Sequence, residues 1–531
     1  MFDYIIVGGG SAGGVIANRL SEDSNNKVCL IEAGSADSSV LVSTPGAFGA
    51  HMFVRKFNWM FRSQPDAGTN QRGHLCPRGK GLGGSSSINA MVYTRGHSSD
   101  YNNWEALGNP GWGFKDALRL FKKSEDNENG ADEYHGKGGL LSVSNIDKNP
   151  YKLEDLFIEA SKEAGVPFRN EFNSDELEGV GNYQFTIKNG QRAGVRRCFI
   201  EPALNRQNLT VITEAHATKI LIENKKAVGI QYQQDGQLKE ARASKEVIIS
   251  GGAFNSPQLL MLSGIGDKDE LAKFNIECLH DLKGVGKNLQ EHPAVSVVFS
   301  SLKKDGYSFS LGSLAKRTKE GIQYALGKKG PLKHSVTRVG GYLKSSPEVE
   351  VPDIQIHYIA MMFDDNGHNV DYYTQHGFTA ELNVCRPKSI GNVTLRDANP
   401  TSDPLINLNL LDDPYDVDVL VKAVKKIREI YSMPAYKNHT GEEEFPGKDC
   451  ITDEEIALAV RKKTAHVYHP VGTCKMGSDD MAVVDASLKV NGIESLRVAD
   501  ASIMPTLISA NTNAPTIMIG EKAAEMILAD A

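Results

Sequence analysis

Three groups of residues in this 531-residue chain combine types and spacings that suit chemistry. The first is Val467-Tyr468-His469-Pro470-Val471-Gly472-Thr473, where a histidine supplies a base that titrates near neutrality. The second is Asn511-Thr512-Asn513-Ala514-Pro515-Thr516, whose amides can hold an oxygen in place without adding charge. The third is the acid Glu32, which follows a glycine-rich turn. His466 and His469 form His-x-x-His, a spacing open to a metal, but no third cysteine, histidine or carboxylate stands at a recognised spacing nearby, and a metal site is not expected.

The elements that must position these groups begin with Tyr4 to Val7, a short apolar strand that ends in Gly8-x-Gly10-x-x-Gly13 as a helical pattern starts (Ala12, Ile16, Leu20). Gly8 permits the turn, Gly10 lets backbone approach a pyrophosphate, and Gly13 lets the helix lie on the sheet. Free helix-terminal N–H groups then face the phosphates, at Ser11 and Ala12. The second strand, Val28 to Ile31, ends at Glu32, where a carboxylate suits both hydroxyls of an adenosine ribose and would repel a 2′-phosphate. The pattern reads as a site for FAD or NAD and does not choose between them. A second glycine cluster, Pro77-Arg78-Gly79-Lys80-Gly81-Leu82-Gly83-Gly84-Ser85-Ser86-Ser87-Ile88-Asn89, is too poor in large side chains to form a core, so something must approach its backbone closely.

Composition narrows the classes. A hydrophobic fraction of 40% describes a globular chain, and a net charge of −7 without a clustered basic face argues against nucleic acid. Seven scattered cysteines without a C-x-x-C pair fit neither a disulfide framework nor a zinc ribbon. With the first strand starting at Phe2 and no apolar run of membrane-spanning length, a cytoplasmic location is expected. The segment Leu314 to Gly330 mixes Lys and Arg with Ile322, Tyr324 and Leu326. It reads as a solvated helix face, with peripheral contact at a membrane as the alternative.

From Gly79 to Tyr101 the chain resembles the first signature of the glucose-methanol-choline (GMC) flavoprotein oxidoreductases, with Gly83-Gly84-Ser85-Ser86, Asn89, Tyr93 and Gly96 in place. Gly252-Ala253-Phe254-Asn255-Ser256-Pro257-Gln258-Leu259-Leu260-Met261-Leu262-Ser263-Gly264-Ile265-Gly266 matches the second. The resemblance implies an α/β fold in which a Rossmann-like FAD-binding domain (1–155, 196–296, 465–531) carries an inserted α+β substrate domain (156–195, 297–464), an antiparallel sheet covered by helices. It implies FAD contacts at Gly8, Gly10, Ser11, Ala12, Gly13, Glu32, Ala33, Arg78, Gly83, Gly84, Ser85, Asn89, Ala90, Val92, Ala217, Asp500, Ala501, Asn511 and Thr512. Family members that attach FAD covalently carry a histidine where this chain has Ile88, so dissociable FAD is expected.

The resemblance also places His469 as the base that removes a hydroxyl proton and Asn513 as the amide that holds the alcohol oxygen. His292, in Gln290-Glu291-His292-Pro293, reads as structural. Ser256-Pro257 reads as a helix start. Choline-type relatives are expected to carry a glutamate two residues before a Gly-Gly-aromatic element; here Gly340-Gly341-Tyr342 follows Arg338, which would repel a cation or else point to solvent. With Tyr468, Arg338 is the candidate substrate contact. The expected activity is oxidation of a primary alcohol to an aldehyde, with electrons passed to a membrane quinone or another acceptor. Alternatives are an oxidase that makes peroxide, a choline dehydrogenase-like enzyme, and a non-catalytic dinucleotide-binding protein.

Overall fold

A computed structural model describes residues 1–36, 39–146, 148–364 and 369–530. Strand β1 (Phe2–Val7) leads into helix α1 (Gly13–Leu20) and β2 (Val28–Ile31). After a long excursion that includes β3 (Gly179–Asn182), the chain returns with β4 (Leu209–Ile212) and a meander of β5 (His216–Glu223), β6 (Lys226–Gln234) and β7 (Gln237–Ile249). Helix α2 (Gly252–Leu262) follows.

Then come β8 (Pro293–Ser301), α3 (Leu314–Gly327), β9 (Val339–Leu343), β10 (Ile354–Ile359), β11 (Gly377–Val384) and α4 (Pro414–Ser432). The last stretch holds β12 (Thr440–Phe445), β13 (Ala465–His466), β14 (Leu496–Val498) and α5 (Asn513–Ala529).

Two large sheets result, joined by one cavity. The first has the order β4-β2-β1-β7-β6-β5, with β14 added beside β7. Its centre is parallel: β1 lies between β2 and β7, and β14 runs parallel to residues 247–249. Residues 4–7, 28–31 and 247–249 there are apolar on both faces and buried, as parallel strands covered by helices must be. The second sheet has the order β12-β8-β11-β10-β9-β3, extended at its β3 edge by residues 168–169, with β13 paired to β8. Its large strands are antiparallel, and α4 packs its apolar stripe (Val417, Leu420, Val424, Ile427) against that sheet.

Local chemistry sets the boundaries. A Cβ on Gly13 would stand 2.0 Å from the Gly8 carbonyl oxygen, so only glycine lets α1 start this close to the strand that feeds it. Helix α2 begins at Gly252, earlier than Ser256-Pro257 predicts, with Pro257 inside it. Ser256 is not its cap: the hydroxyl accepts from the Gly251 N–H at 3.0 Å and donates to Asp500 at 2.5 Å.

Candidate active site

The cavity runs from the C-terminal ends of β1 and β2 to the face of the second sheet. At one end its walls are backbone and small residues: Gly8, Gly10, Ser11, Ala12, Ala33, Gly84, Ser85, Ala90 and Ala217. The two glycine clusters meet there. Gly84 has φ +49°, and a Cβ on it would lie 2.8 Å from the Gly10 Cα, so the two backbones touch and leave no room for a side chain between them.

Glu32 ties this end together. Its Oε2 accepts from the Gly9 N–H (2.8 Å), and its Oε1 from Gly34 (2.8 Å) and Gly81 (2.9 Å). Burial pushes this carboxyl above its ordinary range, against the pull of the three amides and Lys80. A carboxylate has about four acceptor positions, so ribose hydroxyls would share Glu32 with the three amides already bound to it.

Gly13 and Gly83 do not line the cavity. Gly13 seats α1, and Gly83 donates its N–H to the Gly9 carbonyl at 2.7 Å, joining the two clusters. Arg78, Asn89, Val92, Asp500, Ala501, Asn511, Thr512 and Asn513 do line it, as does Ile88. Asp500 is engaged on the protein: Oδ2 accepts from the Gly252 N–H and the Ser256 hydroxyl, and Oδ1 from the Ser502 N–H. The first turn of α1 and the start of α5 both open here, presenting positive helix ends to an anion. Paired glycine backbones, helix N-termini and a buried acid near the turn are the donor set a dinucleotide needs, so the residues present fit FAD.

At the other end, chemistry is carried by side chains from distant segments. His292 Nε2 stands 3.1 Å from the Cys385 carbonyl and 3.0 Å from the Ile508 carbonyl. Carbonyls only accept, so this nitrogen carries a proton. Burial lowers the pKa of His292, which leaves its Nδ1 as an acceptor. His469 Nδ1 lies 3.1 Å from it and must donate. That assigns the His469 Nε2 a lone pair, which accepts from the Asn511 Nδ2 at 3.2 Å. Burial holds the His469 pKa well below its ordinary value, so the ring stays neutral.

Glu291, on the same loop, fixes the backbone: Oε1 accepts from the N–H of His469 (2.7 Å) and of His292 (2.9 Å). Its Oε2 is 3.1 Å from His466 Nδ1. The other nitrogen of His466 faces the Leu75 carbonyl at 3.0 Å, so both nitrogens donate and Glu291 raises the His466 pKa to about 10. Tyr468 also lines the cavity. It holds φ +69°, a left-handed turn that swings the next residue inward, and its carbonyl accepts from Arg78 at 2.5 Å.

Two expectations meet the structure here. Asn511 is the amide hydrogen-bonded to His469, while Asn513, which also lines the cavity, accepts with its Oδ1 from the Ser11 hydroxyl at 2.9 Å at the start of α5. Arg338 lies outside the cavity wall and away from solvent. It is 3% exposed, its Nε donates to Glu154 at 2.7 Å and its Nη1 to the Ser335 carbonyl. The paired carboxylate offsets its charge, and the guanidinium is not part of the cavity wall. Sequence reasoning missed the ordering roles of His292 and Glu291; Gln290-Glu291-His292-Pro293 was visible, but the partner carbonyls lie far along the chain.

Comparison with known proteins defines the class. One family model described as GMC oxidoreductase matches residues 2–294, and a second with that description matches residues 387–520. The chain belongs to the GMC oxidoreductase family, a family of flavoenzymes that use FAD. Among individual relatives, the "Alcohol dehydrogenase [acceptor]" of Pseudomonas putida is 44% identical over 99% of this chain and 96% of its own length. The mitochondrial choline dehydrogenase of Mus musculus is 40% identical over 99% of this chain and 89% of its own. A crystal structure of formate oxidase has a TM-score of 0.92 at 28% identity, covering 100% of this chain and 98% of the other. Pyridoxine 4-oxidase from Mesorbium loti has a TM-score of 0.90 at 28% identity, with 99% of both chains covered.

Proposed function

We propose that the protein oxidises a primary alcohol to an aldehyde, with His469 as the base and Asn511 as the amide that holds the alcohol oxygen. The observation that carries this reading is the ordered chain from the Cys385 and Ile508 carbonyls through His292 to His469. It leaves one unprotonated nitrogen, Nε2, facing the cavity. The alcohol O–H donates to that nitrogen and the Asn511 N–H donates to the alcohol oxygen, so the substrate takes the place of the direct contact between the two side chains. The proton moves to His469 Nε2, and the resulting imidazolium keeps its Nδ1–H on His292. FAD, when bound, supplies the acceptor that takes the hydride from the carbinol carbon. Glu291 and the left-handed Tyr468 keep the His469 ring from turning away.

FAD is held without a covalent bond through residue 88, because Ile88 offers no nucleophile where that side chain meets the cavity. The electron acceptor is a membrane quinone rather than O2. Support comes from the name of the Pseudomonas putida relative and from α3 with the turn before it. Leu311, Leu314, Ile322 and Leu326 are all exposed within about a third of the helical circumference, flanked by Lys316, Lys319, Lys328 and Lys329. Among the described residues no helix is long and apolar enough to cross a membrane, so contact would be peripheral. The test is anaerobic bleaching of the bound flavin by an alkanol, followed by reoxidation with a soluble quinone or with O2. Quinone should reoxidise the flavin faster and vesicles of anionic lipid should sediment the protein; stoichiometric peroxide would replace the quinone reading with an oxidase.

A further inference from the structure

The carboxylates that meet the cavity differ in one respect. Glu32 and Asp500 each accept three hydrogen bonds from the protein. Glu381 also lines the cavity, yet no donor among the described residues reaches its carboxyl; its interactions are burial and the distant charge of His466. His466 is already held by Glu291.

The sheet places Glu381 at the reacting end. On β11 it stands opposite His357 of β10 in antiparallel register, and paired residues point their side chains to the same face. His357 lines the same cavity and lies close enough to His469 to influence its titration. Burial presses the His357 pKa down to about 3, so this neighbour supplies no positive charge. Around them the wall is mostly apolar, with Ile359, Phe363 and Val467. Burial also raises the Glu381 carboxyl to about 7, the cost of holding an acid without a partner.

We propose that Glu381 is a specificity-determining residue that selects alcohols carrying a second hydrogen-bond donor, an ammonium or a second hydroxyl, away from the carbon being oxidised. A half-buried acceptor in a mostly apolar wall, without a partner among the described residues, discriminates in favour of a ligand that supplies one. This inference rests on the alcohol-oxidising reading above and concerns the other end of the same substrate.

The test uses the holoenzyme and three alcohols of equal length, 1-hexanol, 1,6-hexanediol and 6-amino-1-hexanol, with kcat/KM read from flavin bleaching. The parent should favour at least one bifunctional alcohol over hexanol by about tenfold or more. In Glu381→Leu that ratio should collapse toward one. Glu381→Gln, which keeps hydrogen-bonding atoms without charge, should retain the preference for the diol and lose any preference for the amino alcohol, which tells the two donors apart. A parent that oxidises hexanol as well as both others, or a Leu variant whose ratio is unchanged, overturns the assignment. If Glu381→Leu does not retain flavin, the parent ranking and the Gln variant decide. If no alcohol bleaches the flavin, the alcohol reading fails. Perturbation of the flavin spectrum by hexylamine, weaker in Glu381→Gln if the assignment holds and equal if it does not, still reads Glu381.

Discussion

At the cofactor end of the cavity the walls are largely backbone, made by glycine clusters within the first ninety or so residues and closed by the Glu32 carboxylate. At the reacting end they are side chains, with His357, Glu381, His469 and Asn511 arriving from four separate segments and His292 ordering His469 from behind the wall. Backbone recognition tolerates little change in residue type but is indifferent to the neighbouring side chains. A side-chain network tolerates changes of fold position but depends on which proton sits on which nitrogen. The first end can therefore serve a whole family, while the second sets what one member does.

The sharpest way to break this division is His469→Ala. Flavin reduction by alcohol should fall by about 10²–10⁴-fold while FAD content stays at the parental level, because the change touches only the reacting end. Loss of flavin together with activity would merge the two ends into one unit. The two asparagines sharpen the same line. Asn511→Ala should slow anaerobic flavin reduction by roughly 10²-fold, whereas Asn513→Ala should loosen FAD retention more than it slows reduction, since its partner is Ser11 in the cofactor cradle. The reverse ranking would restore Asn513 as the alcohol-holding amide.

Arg338 tests whether the boundary reaches behind the wall. Arg338→Met strands the buried Glu154 carboxylate and should lower stability by about 3–5 kcal/mol in denaturant titration. The ratio of choline to alkanol turnover should be unchanged; a shift toward choline would return Arg338 to the substrate site. The smallest effect concerns pH. His466 gains its partner Glu291 on folding and its pKa rises from 6.5 to about 10, so its contribution to stability is complete below about pH 6.5 and fades as pH climbs toward 10. A parental Tm that falls across that window should flatten in His466→Gln.

The same division explains what the sequence made legible. Gly8, Gly10, Gly13 and the Gly83-Gly84 pair announce themselves because only glycine fits, and their spacing carries the α/β cofactor fold with it. The antiparallel second sheet came with the family resemblance those motifs carry, not with a pattern of its own, because its central strand is buried at every position. The resemblance singled out Asn513; that Asn511 is bonded to His469 depends on where α5 begins and on Ser11 beside it, neither of which spacing reveals. Arg338 looked exposed to substrate because Glu154, which neutralises it, lies far away in the chain. Glu381 was hidden in a strand whose apolar neighbours dominate the pattern.

Helix α5 packs along α1, with Glu521 bound to Arg19, and β14 completes the sheet that β1 begins. In the order of synthesis, the glycine turn of residues 8–13 emerges from the ribosome long before the floor it rests on, residues 496–521. Until residues 496–521 are out of the exit tunnel, the nascent chain holds a half-built cradle that has neither its supporting helix nor its base. Cofactor capture should therefore wait until residues 496–521 have joined the turn.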